Sequence, residues 1–402
     1  MVQSTAPTNP TRSSRPVTEF GPGLRRFFLL EEGAVYLNNG SYGATPKSVM
    51  KAQRDWQEAL EREPSRFMER EFRPALRVAA ERLSGYLGVP GREIALVENA
   101  TMAVNAVLNS IYFAPGDEIL INSQTYNAVK NAVLHICKRT GAIPKWVDLP
   151  FPIQSAEQIL ANFTAGLTAR TKLVVIDHVT SQTAAIMPVA EMAAAARAVG
   201  AFVLVDGAHA PGMVPLDLPS TGAHWYTGNC HKWMFSPKGC ALLWAEASVR
   251  DTLHPSVVSH GYGEGFVAEF DWVGTRDASA QQALPAALDF RETFGDVAIR
   301  DHNHDLAVRA AHMLSDAWKT PIGAPDALLG SMAVVRLPSG LGTTQAHAFE
   351  VRRRLLDEYR IQTPVWALDG QLWLRISAQI YNGFAEYEAL ANAILTERRN
   401  AS

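Results

Sequence analysis

AFVLVDGAHAPGMVPLDLPSTGAHWYTGNCHKWMFSPKGCALLW, residues 201–244, opens with five apolar residues, Ala201 to Val205, too few for a helix but enough for a buried strand. Asp206 follows at once, an acid at the C-terminal lip of that strand, where open α/β sheets bind their ligands. Lys232 comes 26 residues later (232 − 206), inside Gly228-Asn229-Cys230-His231-Lys232-Trp233, among aromatic and small residues with few other charges. A second apolar run, Gly239 to Trp244, closes the segment.

Strand, Asp, then His-Lys and strand suggest one chemistry. A lysine amine forms a Schiff base with an aldehyde cofactor, and a carboxylate keeps a ring nitrogen protonated so that the ring draws electrons from the substrate. Pyridoxal 5'-phosphate needs both. Taken singly, Asp206 reads as a turn residue or helix cap and Lys232 as a solvated surface lysine. Their company in one segment favours the chemical reading.

The chain has 402 residues, enough for a large core and more than one domain. Hydrophobic residues make up 47% and charged residues 19%, as in ordinary globular proteins. A net charge of −3 supplies no basic field for nucleic acid, and no apolar run approaches the roughly 18 residues that span a bilayer. The opening MVQSTAPTNPTRSSRP lacks the apolar core of a secretory signal and reads as a disordered leader over residues 1–20. Cys137, Cys230 and Cys240 have neither disulfide nor zinc spacing and fit a reducing cytoplasm.

Upstream, Asn38-Asn39-Gly40-Ser41-Tyr42-Gly43 is rich in turn formers, and residues 46–88 read as a charged amphipathic helix. Ile94 to Val97 reads as a strand feeding Glu98-Asn99-Ala100-Thr101-Met102 and a helix to Ile111. Such a turn leaves free N–H groups and a positive dipole end, an anion site, unless Asn99 or Thr101 is a plain cap. No P-loop or dinucleotide fingerprint competes, which makes a doubly wound dehydrogenase remote. The strand over Lys172 to Val179, the helix Val189 to Val199 and the strand ending at Asp206 form a βαβ unit. Arg375 stands inside the apolar strand Leu372 to Ile376, where a charge is costly unless paired; its planar fork suits a carboxylate, with a structural ion pair as the alternative. His302 and His304, two apart on a helix, point away from each other and are not read as a metal site.

DGAHAPG, then YTGNCHKW, then PKG closely resembles the class V aminotransferases of fold type I, in particular the isopenicillin N epimerase-like branch. The resemblance implies a fold type I enzyme dependent on pyridoxal 5'-phosphate. Its mostly parallel central sheet would lie in a large domain over residues 21–290, N-terminal segment included. A small C-terminal α/β domain would follow over 291–402. It implies a homodimer with active sites at the interface and an amino-acid-type substrate. Lys232 would hold the cofactor and act as acid and base, and Asp206 would hold the ring nitrogen. His209 would contact the ring hydroxyl and Tyr126 would stack on the ring. Ala100, Thr101, Met102 and Asn229 would receive the phosphate, with Thr275 reaching the partner's. His231 precedes the lysine as in the family, and a structural role stays open for it. Ser181 stands where related desulfurases carry asparagine. Asn38, Gly40 and Arg375 would receive the substrate carboxylate, and Arg276 would face either substrate or an ordinary ion pair.

The resemblance favours epimerase or racemase chemistry at the amino-acid Cα, with C–S β-elimination and transamination as alternatives on the same groups. Residues 362–371, ahead of Arg375, contain no cysteine, unlike the persulfide-forming desulfurases. A non-enzymatic binding relative would have no need of the Lys232 amine.

Overall fold

The structure, a computed structural model, describes residues 19–401. The leader expected over 1–20 lies outside them except at its end, where Phe20 is already packed against Phe294 and His302.

Seven strands form the main sheet: β2 (Ile94–Val97), β3 (Glu118–Asn122), β4 (Ile143–Val147), β5 (Thr171–Asp177), β6 (Phe202–Asp206), β7 (Trp225–Asn229) and β8 (Ala241–Ala245), after a short β1 (Val35–Tyr36). The order is β2-β8-β7-β6-β5-β3-β4. From β7 through β4 all pairings are parallel, and β8 is antiparallel to both neighbours. Alternate residues of the inner strands face opposite layers. Leu173 and Val175 pack with helices Ala100–Ser110 and Asn127–Thr140, whereas Val174 and Ile176 pack with Ala156–Gly166 and Val189–Ala198. Burial on both faces explains why these strands read as unbroken apolar runs.

Chain order reverses at β3: β4 lies on one side of it and β5 on the other. The carboxyl ends of β3 and β5 therefore part, which opens the crevice where sheets of this kind bind ligands. The expected helix over 46–88 breaks once, at Glu63. Lys47–Arg62 is followed by a helical run that starts at Pro64, where a proline's missing N–H costs nothing, passes through a π-turn at Phe67–Glu71 and continues as Phe72–Leu87.

Beyond the connecting helices a second sheet, β11-β12-β9, is antiparallel: β9 (Met332–Arg336), β11 (Val365–Leu368) and β12 (Gln371–Ser377). Helices Asp296–Trp318, Gln345–Asp357 and Phe384–Ala401 accompany it. β1 pairs in parallel with β10 (Ile361–Gln362), and the Ser377 N–H donates to Leu37 O, so the N-terminal segment is tied to this C-terminal part.

Candidate active site

β6 ends in Asp206 and its parallel neighbour β5 ends in Asp177, directly paired in register. Both carboxyls are buried. Asp206 Oδ1 accepts the Ala208 N–H at 3.0 Å, and Asp177 Oδ1 accepts the Tyr126 N–H at 3.4 Å while its Oδ2 has no partner. Burial, then the charge of Asp206, pushes Asp177 up to about 7, and burial raises Asp206 also. Two dry carboxyls side by side favour a positively charged partner between the sheet lip and the cavity.

The turn after β7 carries Lys232 on a one-turn helix, Cys230–Trp233. Lys232 Nζ stands 3.0 Å from His209 Nε2. Burial drops this ammonium to about 7, with Asp206 opposing the shift and Arg375 adding to it. Burial, then the charge of Lys232, puts His209 well below the ordinary histidine range, so the ring is neutral and its Nδ1 is buried without a partner. His231 keeps a structural bond, Nδ1 to Cys240 O at 3.2 Å.

The loop expected near the site does cross it. The Asn39 side-chain amide donates to Lys232 O at 2.9 Å. Gly43 must be glycine, because a Cβ there would lie 2.2 Å from His231 O and 2.3 Å from Lys232 O. The Gly40 N–H donates to Ser377 Oγ at 3.1 Å, fixing the loop to β12.

Arg375 of β12 is 1% exposed. Its guanidinium donates to Ser41 Oγ at 2.8 Å, to Asn38 Oδ1 at 3.3 Å and to Ser181 O; Nε has no partner. Its carbon lies 5.2 Å from the centre of the Trp366 ring. Among the described residues no carboxylate pairs with it, so the structural ion pair is absent and a buried cation stands without a counter-charge. Arg276, by contrast, takes the ordinary reading, with Glu98 at 3.4 Å and Gln281 Oε1 at 2.9 Å.

At the start of helix Ala100–Ser110, Asn99 Oδ1 accepts the Met102 N–H and Asn229 Oδ1 accepts the Ala100 N–H, each at 2.9 Å. Thr101 between them lines the cavity. That cavity, of about 370 Å³, brings together Asn38, Gly40, Ala100, Thr101, Tyr126, Ser181, Asp206, His209, Asn229, His231 and Lys232. Met102 and the exposed Thr275 lie outside it in the single chain, and Arg375 adjoins it through Asn38, Ser41 and Ser181.

Sequence reasoning missed Asp177, Arg352 and Trp366, which also line the cavity. Asp177 had a signal, an acid ending an apolar run as Asp206 does; Arg352 and Trp366 had none. The residues present fit pyridoxal phosphate. They offer an amine for its aldehyde, an acid for its ring nitrogen and a helix start for its phosphate, and the unpartnered Asp177 Oδ2 and His209 Nδ1 belong to residues of the same wall.

A profile of the aminotransferase class V family matches residues 35–340. An L-cysteine desulfhydrase of Arabidopsis thaliana is 36% identical over 399 residues, covering 90% of this chain and 88% of the relative. An isopenicillin N epimerase of Amycolatopsis lactamdurans is 33% identical over 389 residues, covering 91% and 95%. A solved structure of C-DES with glycine covalently linked to its PLP cofactor superposes with a TM-score of 0.78 at 20% identity, covering 92% of this chain and 98% of that one. That likeness bears out the expected fold type I architecture. With the profile spanning most of the chain and these relatives matching nearly end to end, the chain belongs to the class V aminotransferase family.

Proposed function

We propose that this enzyme cleaves the Cβ–S bond of a cysteine-derived amino acid by α,β-elimination. The observation that carries the reading is the Lys232 amine on the cavity wall, 3.0 Å from His209 Nε2 and held at about 7 by burial, beside a neutral His209. Elimination needs one group that takes the Cα proton and hands it to the departing sulfur. The enamine left behind adds water and falls to pyruvate and ammonia, so the products are pyruvate, ammonia and a thiol or hydrosulfide.

The cofactor is pyridoxal 5'-phosphate, which when bound supplies the electron sink for the Cα carbanion. Lys232 would hold its aldehyde, Asp206 its ring nitrogen and His209 its ring hydroxyl, with Ser181 nearby. Thr101, Ala100, Met102 and Asn229 would take its phosphate and Tyr126 would cover its face. Arg375, with Asn38 and Gly40, orients the α-carboxylate, and the missing counter-charge on Arg375 supports that role. Neutral His209 directs the Nζ lone pair and excludes water from it.

None of the three cysteines lines the cavity, which supports release of sulfur as a thiol over transfer to an enzyme persulfide. A second reading, epimerisation, draws on the relatives named isopenicillin N epimerase and on Tyr126, a protic side chain brought to the cavity by a different element. The proposal includes a homodimer in which Thr275 serves the partner's phosphate site. It also includes a large part over 21–290 with a small one over 291–402, and a cytoplasmic location, supported by three free thiols. Among the described residues no helix is long and apolar enough to cross a membrane.

Holoenzyme incubated with L-cysteine and cysteine S-conjugates in deuterated water tests the reading. Pyruvate and ammonia in equal amounts are expected. Deuterium at Cα with inversion and no pyruvate would replace elimination by epimerisation, and accumulated pyridoxamine phosphate would replace it by transamination.

A further inference from the structure

Helix Gln345–Asp357 carries three consecutive arginines with different fates. Arg353 pairs with Glu350 at 2.8 Å and Asp357 at 3.2 Å. Arg354 pairs with Glu350 at 3.0 Å and Glu397 at 2.9 Å. Arg352 has no carboxylate partner among the described residues; its one recorded contact is the exposed ring of Phe349, 5.8 Å from the guanidinium carbon. This arginine lines the active-site cavity together with Tyr42, Pro364 and Trp366. It also lines an adjoining groove, of about 570 Å³, with Tyr36, Phe349, Gln362, Thr363 and Arg353, whose charge is already taken up by Glu350 and Asp357 of its own helix. Asn38, Tyr42 and Arg352 are common to both hollows, so the two are continuous past the residue that Arg375 holds. The only acids of the combined lining are Asp177 and Asp206, both buried at the sheet lip.

We infer that Arg352 forms a second anion subsite, and that the physiological substrate is an extended amino acid whose side chain ends in a carboxylate. Arg375 takes the α-carboxylate and Arg352 the distal one, with the aromatic and amide walls of the groove covering the stem between them. A cation left without a counter-charge on a path free of acids is the arrangement that selects an anion, and its planar fork matches a carboxylate in two-point fashion. L-Cysteine alone would leave the groove and Arg352 empty. The choice of probe rests on the elimination reading above; the subsite does not.

Two probes that differ only in charge test it: S-(2-carboxyethyl)-L-cysteine and its neutral amide, S-(2-carbamoylethyl)-L-cysteine. Dissociation constants are read from the absorbance change of the bound cofactor in the holoenzyme, and pyruvate is assayed in parallel. The carboxylate is expected to bind about tenfold more tightly than the amide. Arg352→Gln collapses that ratio to about one, Arg352→Lys keeps part of it, and Arg353→Gln, whose partners are internal, leaves it in place. Equal binding of the two probes by the wild type would overturn the subsite. So would an unchanged ratio in Arg352→Gln, an equal collapse in Arg353→Gln, or no binding of either probe at millimolar concentration. Absence of pyruvate with the ratio intact would count against elimination and leave the subsite standing.

Discussion

Arg291 and Arg375 are the two arginines among the largest fully buried side chains, 0% and 1% exposed, and their surroundings differ in one respect. Arg291 has an acid: its Nε donates to Asp296, and its two other nitrogens donate to Trp233 O at 2.9 Å and Gly212 O at 2.8 Å. It holds the back of the turn that carries Lys232 and asks for nothing more. Arg375 has only neutral acceptors and an unpartnered Nε. Burial alone does not mark a functional cation; the absence of a counter-charge does, because a folded chain does not retain an uncompensated charge for stability.

The largest expected effect breaks the site and spares the fold. Arg375→Gln should lower kcat/KM by about 10²–10³-fold, since a desolvated charged contact to the α-carboxylate is lost. Its unfolding midpoint should stay at or above that of the wild type, measured by calorimetry on the same sample. A drop in stability with little change in rate would place Arg375 with Arg291.

The converse variant is Arg291→Met. It leaves the Trp233 and Gly212 carbonyls without a donor and Asp296 with Arg300 as its remaining partner, and should cost about 3 kcal/mol in denaturant unfolding. Activity per folded molecule should remain within about threefold of wild type, because the partners of Arg291, Trp233 O, Gly212 O and Asp296, lie outside the cavity lining.

The smallest effect sharpens the comparison through Lys232. Its ammonium is held at about 7, by burial first and then by the positive charge of Arg375, with Asp206 opposing. An amine adds to an aldehyde only when neutral, so the rate at which apoenzyme takes up pyridoxal phosphate should rise as pH passes upward through 7. Between pH 6 and pH 8 the neutral fraction grows about tenfold. In Arg375→Gln the midpoint should move to higher pH, since a like charge has gone, and in Arg291→Met it should not move. Stopped-flow absorbance reads both, and an unmoved midpoint in Arg375→Gln would show that the two arginines act alike on the amine.

Much of this was legible in the sequence, and the reason is local. Asp206 and Lys232 flank short apolar runs, and the Asn38–Gly43 loop is dense in residues that turn a chain, so position along the chain sufficed. Arg375 stood out as a charge inside an apolar strand. What stayed hidden depends on register and on distance along the chain. Asp177 ends its strand as Asp206 does, yet only the parallel pairing of β5 with β6 puts the two acids side by side. Arg352 sits in a run of three arginines, and nothing local separates it from its paired neighbours. β2, first of the main sheet in the chain, lies at its edge beside β8, a pairing that spans most of the large sheet's sequence. Asn229 matched a phosphate-binding position by resemblance; that its side chain also accepts the Ala100 N–H at the helix start, 129 residues away along the chain, depends on the fold.

The Asn38–Gly43 loop has a consequence for how separable the parts are. It is pinned to the C-terminal sheet through Ser377 and Arg375, and to the lysine turn through Asn39 and the close approach of Gly43. A chain beginning after residue 46 would still contain every strand of the seven-stranded sheet, along with Asp206 and Lys232. It would lack the loop that bonds both the lysine turn and the buried Arg375. The large sheet is therefore not a portable catalytic module: the site exists only where the two ends of the polypeptide meet.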